Sequence, residues 1–186
     1  MPESRLTPVR TLVLGGIRSG KSEWAEQAIA ASVPPGRAVR YLAPGPSCPD
    51  DADWADRIAK HRDRRPAHWS TVETCDITTE LRQSPDTPTL VDDLGIWLTA
   101  TLNRHQAWEN GSVATPVDEM LGAVGAFEST LMLVSPEVGL TVVPATAAGR
   151  RFTDELGSLN QRVAALCERV VLVVAGQPVS IKSSGK

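Results

Sequence analysis

The stretch GGIRSGKSEW, residues 15–24, decides the fold of this chain. It follows the apolar run TLVL, residues 11–14, and it opens a segment, residues 21–31, with the composition of a helix. Residues 15–22 fit the pattern G-x-x-x-x-G-K-[ST] in full, between a predicted strand and a predicted helix. The order of strand, glycine loop and helix therefore predicts a loop that binds the phosphates of a nucleotide.

The residue types of this loop predict what each part does. Glycines let backbone N–H groups face a phosphate, and the following helix offers its positive N-terminal end to the same anion. We expect Lys21 to reach the β- and γ-phosphates and Ser22 to coordinate Mg²⁺. The predicted nucleotide-binding residues of the loop are Gly15, Gly16, Ile17, Arg18, Ser19, Gly20, Lys21 and Ser22.

A nucleotide site of this kind also needs a carboxylate near the magnesium, usually at the end of a neighbouring strand. Asp92 follows the apolar residues 89–91, and Asp93 comes directly after it. We expect one of this pair to order the magnesium, and the strand pattern favours Asp92. The alternative is that the pair lies in a solvated turn or caps the next helix.

Apolar runs and helical patterns alternate along the rest of the chain. Strands are predicted from about residue 9 and over 38–45, 69–73, 87–92, 130–135 and 170–176; helices are predicted over 21–31, 53–64, 77–82, 96–108, 117–129 and 149–170. This order predicts an α/β P-loop fold with a mostly parallel sheet flanked by helices. We expect one nucleotide-binding domain over residues 9–182, a disordered tail over 1–8 and a tail over 183–186, with residues 180–186 polar.

Composition narrows the possible functions of the 186 residues. The formal net charge is −3 and no dense run of Lys and Arg occurs, which argues against nucleic acid as a partner. The three cysteines are scattered and form no C-x-x-C pair, so neither a disulfide framework nor a zinc site is predicted, and a reducing cytoplasm is the expected location. No apolar run approaches the length of a membrane span.

The stretch RIAKHRDRRPAHW, residues 57–69, is strongly basic within an acidic protein. One interpretation is a solvated helix end whose charges suit the helix dipole, with His61 partly packed against Ile58. The other is a cationic cluster that gathers phosphates, one of which a neutral imidazole attacks. Spacing alone favours the first interpretation, and it gives His68 and His105 no chemical role. The tryptophans are expected in the core.

Several separate motifs, in order, carry a resemblance that covers residues 11–182. They are GGIRSGKS at 15–22, YLA at 41–43, RIAKHRDRRPAHW at 57–69 with its continuation to Glu73, LVDDLGIWL at 90–98, SPEVGLTVVP at 135–144, FTDELGSLNQ at 152–161 and VVAGQPVSIK at 173–182. Together they resemble the bifunctional adenosylcobinamide kinase / adenosylcobinamide-phosphate guanylyltransferase family of cobalamin biosynthesis. The resemblance implies a RecA-like P-loop domain that assembles as a homotrimer.

The resemblance also implies two reactions. Members phosphorylate the aminopropanol hydroxyl of adenosylcobinamide with ATP or GTP; they then take GMP from GTP onto a histidine and pass it to the new phosphate. His61 matches that histidine, which reverses the preference given by spacing. The residues implied are His61 and Lys21 for catalysis; Arg57, Arg62, Arg65, Glu73 and Asp92 for the nucleotide; and Ser22, Asp92 and Glu137 for Mg²⁺. The alternatives are that some of the arginines are only solvated, and that Glu137 orients the corrinoid side chain or is a loop carboxylate in solvent.

The chain departs from the family pattern at three positions near these residues. Pro136 stands where the pattern often has Asn, Asp93 where Cys is common, and Gly95 where Thr is common. Asn160 and Gln161 could face either the site or a subunit contact. Two other functions stay open: a P-loop kinase without guanylyltransferase activity, and a RecA-like nucleotide-dependent switch or ATPase.

Overall fold

A computed structural model describes residues 9–45 and 66–183 of this chain. Its strands are β1 (Arg10–Gly15), β2 (Arg40–Ala43), β3 (Ser70–Glu73), β4 (Thr89–Asp92), β5 (Leu131–Pro136), β6 (Arg169–Val174) and β7 (Gln177–Lys182). Its helices are α1 (Lys21–Ser32), α2 (Ile77–Gln83), α3 (Leu94–Arg104), α4 (Ala114–Gly125) and α5 (Ala147–Leu166).

The strands form one seven-stranded sheet in the order β3-β2-β4-β5-β1-β6-β7. Every neighbouring pair is parallel except β6 and β7, which are antiparallel. The carboxyl ends of β4, β5 and β1 therefore lie side by side at one edge of the sheet. Loops at this edge are the usual place for a ligand in such folds.

The central strands are buried on both faces of the sheet. In β1, Leu12 and Val13 point to opposite faces and both are fully buried, as the alternation of a strand requires. Val13 packs with Ile29 of α1 on one face, whereas Leu12 belongs to the cluster that includes side chains of α2 to α5. Each such side chain contributes about 1.5–3 kcal/mol through burial. Burial on both faces explains why these strands are continuous apolar runs rather than alternating ones.

The α/β class and the mostly parallel sheet predicted from the sequence are confirmed. The helix predicted from residue 96 begins earlier, at Leu94, because the Asp93 carboxylate accepts a hydrogen bond from the Ile96 N–H and caps it. It ends at Arg104 instead of continuing to residue 108. The predicted helix 53–64 and both predicted tails, apart from Ser183, lie outside the described residues. The extent of the domain stays a prediction.

The end of the chain differs from its prediction. Residues 180–182 belong to β7, which forms a hairpin with β6. The connecting residues Ala175 and Gly176 both have positive φ, 49° and 76°, as the tightest hairpin turns require. β7 is an edge strand that is exposed at every position, so the alternating residues from Val179 to Lys182 do not mark a buried face. Among the described residues, no helix has the length and apolar character needed to cross a membrane.

Candidate nucleotide site

The predicted phosphate loop connects the end of β1 to the start of α1. Gly15 lies under the folded loop: a Cβ there would be 2.4 Å from Ser19 Oγ and 2.8 Å from the backbone oxygen of Val173. Such distances leave no room for a side chain. The loop then turns sharply, since the Ser19 N–H donates to Gly16 O at 3.3 Å. Glycine at position 15 is thus a requirement of packing as well as of the motif.

The first turn of α1 presents cationic and hydroxyl groups to the loop. The helix begins at Lys21 directly after Gly20, with no side chain capping its free N–H groups. Free N–H groups at a helix N-terminus bind anions. Lys21 Nζ reaches back over the loop and donates to Gly16 O at 3.3 Å. The arrangement places Lys21, Ser22 and the helix N-terminus around one space, as an anionic phosphate requires.

Asp92 ends β4, and β5 alone separates β4 from β1. Its carboxylate is held by Tyr41 of β2, a residue only 3% exposed, whose hydroxyl donates to Asp92 Oδ2 at 2.7 Å. No hydrogen bond within the described part of the chain uses Asp92 Oδ1. The carboxylate is therefore fixed through one oxygen, and the other is left for a ligand.

Asp93 has a different environment from Asp92. Its Oδ1 accepts the Ile96 N–H at 2.9 Å at the start of α3. Burial and then the neighbouring Asp92 charge raise the pKa of Asp93 to about 6, against the Ile96 hydrogen bond and the charge of Lys21, which lower it. Of the two alternatives open for this pair, Asp93 takes the helix cap. The structure leaves Asp92 as the carboxylate without such a role.

Glu137 follows β5 and lies beside the first residue of the loop. Its N–H donates to Gly15 O at 3.1 Å, which continues the pairing of β5 with β1. Its Oε1 accepts the Gly139 N–H at 2.6 Å and closes a tight turn. The third predicted metal ligand thus sits at the same edge of the sheet as Ser22 and Asp92.

Two of the departures from the family pattern, Asp93 and Pro136, lie close to the third, Gly95. A Cβ on Gly95 would lie 3.0 Å from Pro136 Cγ and 3.2 Å from Asp93 Oδ1. The ring of Pro136 therefore occupies space that a side chain at position 95 would need. The departures form a single packed group at the ends of β4 and β5, rather than three unrelated changes.

Asn160 supports this group from α5. Ser135 Oγ donates to Asn160 Oδ1 at 2.6 Å, and Asn160 Nδ2 donates to Pro136 O at 3.0 Å. Ser135 is fully buried and Asn160 is 6% exposed, so these bonds hold the end of β5 from inside the protein. Asn160 is thus an internal support of the site, whereas its neighbour Gln161 is exposed.

One predicted nucleotide-binding residue, Glu73, is not part of this arrangement. Glu73 ends β3, and β2, β4 and β5 lie between β3 and β1. At about 4.8 Å per strand, Glu73 is on the order of 19 Å along the sheet from the loop. The remaining group, His61, Arg57, Arg62 and Arg65, lies outside the described residues, so its roles stay predictions.

The donor set at this edge fits a magnesium ion. It consists of the Ser22 hydroxyl with the carboxylates of Asp92 and Glu137, all oxygen donors. Mg²⁺ binds through one or two carboxylates together with substrate phosphates and water, rather than in a complete protein cage. The described ranges contain no group of three or more His, Cys, Asp or Glu side chains placed to hold a metal.

Sequence reasoning missed two residues that contact the site, Tyr41 and Gly176. Tyr41 belongs to the YLA motif but was assigned no function; a buried tyrosine hydroxyl needs a partner, and that rule could have indicated one. Gly176 lies in the β6–β7 turn, and its N–H donates to Ser19 O in the phosphate loop at 2.8 Å. No local pattern predicts that contact, because it joins opposite ends of the chain.

A family model and several known proteins match most of this chain. The family model described as cobinamide kinase / cobinamide phosphate guanyltransferase matches residues 11–181. The bifunctional adenosylcobalamin biosynthesis protein CobP of Pseudomonas aeruginosa is 41% identical over 179 residues, which cover 94% of this chain and 98% of the relative. The corresponding CobU proteins are 35% identical in Salmonella typhimurium and 34% in Escherichia coli, each covering 92% of this chain and 98% of the relative. The resemblance seen in the motifs is confirmed: the chain belongs to the cobinamide kinase / cobinamide phosphate guanyltransferase family.

Proposed function

We propose that this chain phosphorylates adenosylcobinamide with a nucleoside triphosphate and then transfers GMP from GTP to the new phosphate, giving adenosylcobinamide-GDP. One observation carries the proposal. The phosphate loop after β1, Asp92 at the end of β4 and Glu137 after β5 all lie at the same edge of the sheet. Such a site binds a triphosphate with its metal. The identity of the acceptor, adenosylcobinamide, is inferred from the family to which the chain belongs.

In the first reaction, the chain mainly positions charged groups. The aminopropanol hydroxyl oxygen attacks the γ-phosphorus, its proton is lost, and the nucleoside diphosphate leaves. The loop N–H groups and the α1 N-terminus bind the phosphates, and Lys21 exchanges its bond to Gly16 O for phosphate oxygens. Phosphoryl transfer depends on this alignment and charge stabilisation more than on a strong base. ATP or GTP serves as donor.

When bound, Mg²⁺ would neutralise part of the negative charge of the phosphates. Ser22 and Asp92 are the residues that would hold it, with Glu137 orienting a bound water or a substrate arm. Tyr41 keeps the Asp92 carboxylate in one orientation through the 2.7 Å hydrogen bond. The protein thus contributes a carboxylate that is already oriented before the nucleotide arrives.

In the second reaction, His61 acts as the nucleophile. An imidazole nitrogen attacks the α-phosphorus of GTP, pyrophosphate leaves, and a phosphoramidate forms. An oxygen of adenosylcobinamide phosphate then attacks that phosphorus, the P–N bond breaks, and the free histidine returns. Arg57, Arg62 and Arg65 stabilise the phosphate charge. This part rests on the match of residues 57–69 to the family motif.

The proposal includes a homotrimeric assembly and a cytoplasmic location, both implied by the family resemblance. Light scattering on the purified protein tests the assembly directly. A mass of three chains supports the trimer, and a monomer would remove it from the proposal without affecting the two reactions.

The kinase reaction is tested with nucleotide labelled at the γ-phosphorus and adenosylcobinamide as acceptor. Wild-type protein is expected to label the acceptor, and Lys21→Ala to do so about 100-fold more slowly, because a cation at the transferred phosphate is lost. Arg37→Ala removes an exposed cation away from the loop and serves as the matched control. Absence of transfer by the wild type would overturn the kinase half.

The transferase reaction is tested with GTP labelled at the α-phosphorus. Acid-labile, alkali-stable label is expected on denatured wild type and on His68→Ala, but not on His61→Ala. If γ-transfer occurs while no protein is labelled, the chain is a kinase alone. If hydrolysis is instead stimulated by DNA and no acceptor is phosphorylated, the chain is a nucleotide-dependent switch.

A further inference from the structure

The β6–β7 hairpin turn contacts the phosphate loop directly. The Gly176 N–H donates to Ser19 O at 2.8 Å. The two backbones approach so closely that a Cβ on Gly20 would lie 3.2 Å from Gly176 Cα. The contact therefore joins the loop near the start of the chain to a turn near its end, backbone against backbone.

The hairpin is itself anchored on both sides. β6 pairs in parallel with β1, which places Val173 opposite Gly15. At the far end of β7, Lys182 Nζ donates to Ala164 O at 2.9 Å, near the C-terminal end of α5. The two-residue turn between the strands has little freedom, since both its residues occupy the left-handed region. Gly176 thus offers its N–H from a fixed position.

Fixing Ser19 O also fixes the N–H of the next residue. In a trans peptide the C=O and the N–H point in opposite directions within one plane. When Ser19 O points at the hairpin, the Gly20 N–H points away from it. Within the residues that the structure describes, the Gly20 N–H has no hydrogen-bond acceptor. It is available to an anion in the loop.

We propose that Gly176 is a positioning residue for nucleotide binding: its N–H holds the Ser19–Gly20 peptide so that the Gly20 N–H faces the polyphosphate. The proposal rests on the proposed nucleotide binding of the loop and adds the hairpin to that site. It also gives a function to the VVAGQPVSIK motif, in which Gly176 holds the loop and Lys182 binds the end of α5. Without this bond, the peptide can rotate and its N–H must be aligned when the nucleotide binds.

The test replaces the Gly176 N–H by an ester oxygen and changes no side chain. Cys167 permits this, because a recombinant thioester of residues 1–166 can be ligated to a synthetic peptide of residues 167–186 and the full chain refolded. The control proteins are the all-amide ligation product and one with an ester at Ser183, directly after β7. The ligand is guanosine α,β-methylene triphosphate with Mg²⁺, which cannot donate GMP.

The ester at position 176 is expected to raise the dissociation constant about three- to tenfold, the effect of one hydrogen bond, at unchanged stoichiometry. A merely structural role would lower the fraction of binding-competent protein and leave the dissociation constant of that fraction unchanged. That result, or equal affinity in all three proteins, overturns the proposal. If the all-amide protein also fails to bind, the proposed nucleotide site itself has failed.

Recombinant variants give a second measurement that needs no refolding. Gly176→Val places a branched side chain at a φ of 76° and displaces the turn, whereas Ala175→Gly relaxes a φ of 49° and keeps the N–H of Gly176. We expect weaker binding of the same analogue by Gly176→Val alone. Equal dissociation constants for both variants and the wild type would overturn the proposal.

Discussion

The phosphate loop is one continuous segment, residues 15–22, whereas the carboxylate end of β4 is assembled from three separate parts of the chain. In the loop, neighbours in sequence contact one another, as Gly15 does Ser19. At the carboxylate end, Tyr41 of β2 donates to Asp92, while Gly95 at the start of α3 lies close to Asp93 and to Pro136 of β5. We call these two regions the loop half and the carboxylate half of the site.

The difference predicts how substitutions act in each half. In the loop half the backbone around Gly15 leaves no space, so a single methyl group added there has its effect alone. In the carboxylate half, the space around one residue is set by the residue opposite, so effects of substitutions depend on each other. Coupling between contacting residues is commonly about 0.5–3 kcal/mol. The following variants test that difference.

Gly15→Ala is expected to have the largest effect. Its Cβ would lie 2.4 Å from Ser19 Oγ and 2.8 Å from the backbone oxygen of Val173, and the latter cannot move without disturbing β6. We expect the triphosphate analogue to bind at least about 100-fold more weakly and unfolding to become easier by about 1–3 kcal/mol, the cost of overpacking. Titration with the analogue and denaturant unfolding measure the two effects.

Gly16→Ala is the matched control for this prediction. Gly16 is adjacent and exposed, and a methyl group added there would have no atom within 4 Å. The variant should keep nearly normal affinity and stability. If both alanine variants lose binding equally, the loop half depends on the flexibility of glycine and not on the close contact under it.

Gly95→Thr should destabilise the protein by about 1–3 kcal/mol, because its side chain must displace Pro136, whose Cγ would be 3.0 Å from the new Cβ. Pro136→Asn removes that ring. The double variant is therefore expected to recover at least half of the loss caused by Gly95→Thr. Denaturant unfolding of the four proteins in this cycle measures the coupling.

Gly122→Thr is the control for the cycle, since Gly122 is also helical but has open space around it. Combined with Pro136→Asn, it should show no coupling. Strict additivity for the Gly95 pair would contradict the view that the carboxylate half is a set of mutually dependent contacts.

The same difference explains what could be predicted from the sequence. The loop and the strands of the sheet were predicted because their signals are local: a glycine pattern, and runs buried on both faces. The hydrogen bond from Tyr41 to Asp92 and the packing of Gly95 on Pro136 depend on which strands become neighbours. Strand β7 was missed because an exposed edge strand needs no apolar pattern.

Glu168→Gln tests stability apart from nucleotide binding, because Glu168 lies at the end of the strands opposite to the phosphate loop. Its Oε2 accepts the Arg10 N–H at 2.6 Å and its Oε1 contacts Arg10 Nη2 at 2.5 Å. Burial raises the pKa of Glu168, but the hydrogen bonds and charge of Arg10 lower it by a larger amount, so the net shift is downward. Removing the charge should lower the free energy of unfolding at neutral pH by about 1–2 kcal/mol.

The pH dependence follows from the sign of that shift. A lowered pKa in the folded state stabilises the protein above the unfolded value of about 4.3, and this stabilisation is lost as the pH falls through the folded pKa. The stability difference between Glu168→Gln and wild type should therefore shrink on acidification from pH 5. Affinity for the analogue should stay unchanged at neutral pH; a change there would mean that general destabilisation weakens the site.

Tyr41→Phe is expected to have the smallest effect, and it tests the carboxylate half alone. The ring of Tyr41 is buried in the core and is retained, while the hydrogen bond to Asp92 Oδ2 is lost. Without it the Asp92 carboxylate can rotate, so the Mg²⁺ concentration for half-maximal binding of the analogue should rise about three- to tenfold. Affinity measured in EDTA should not change, because the loop half is untouched.

Asp92→Asn is the reference variant, because it shows how much analogue affinity is lost when the gain from Mg²⁺ is removed. If Tyr41→Phe matches wild type with Mg²⁺ while Asp92→Asn does not, then Asp92 acts without help from Tyr41, and metal binding in the carboxylate half does not depend on that contact between strands.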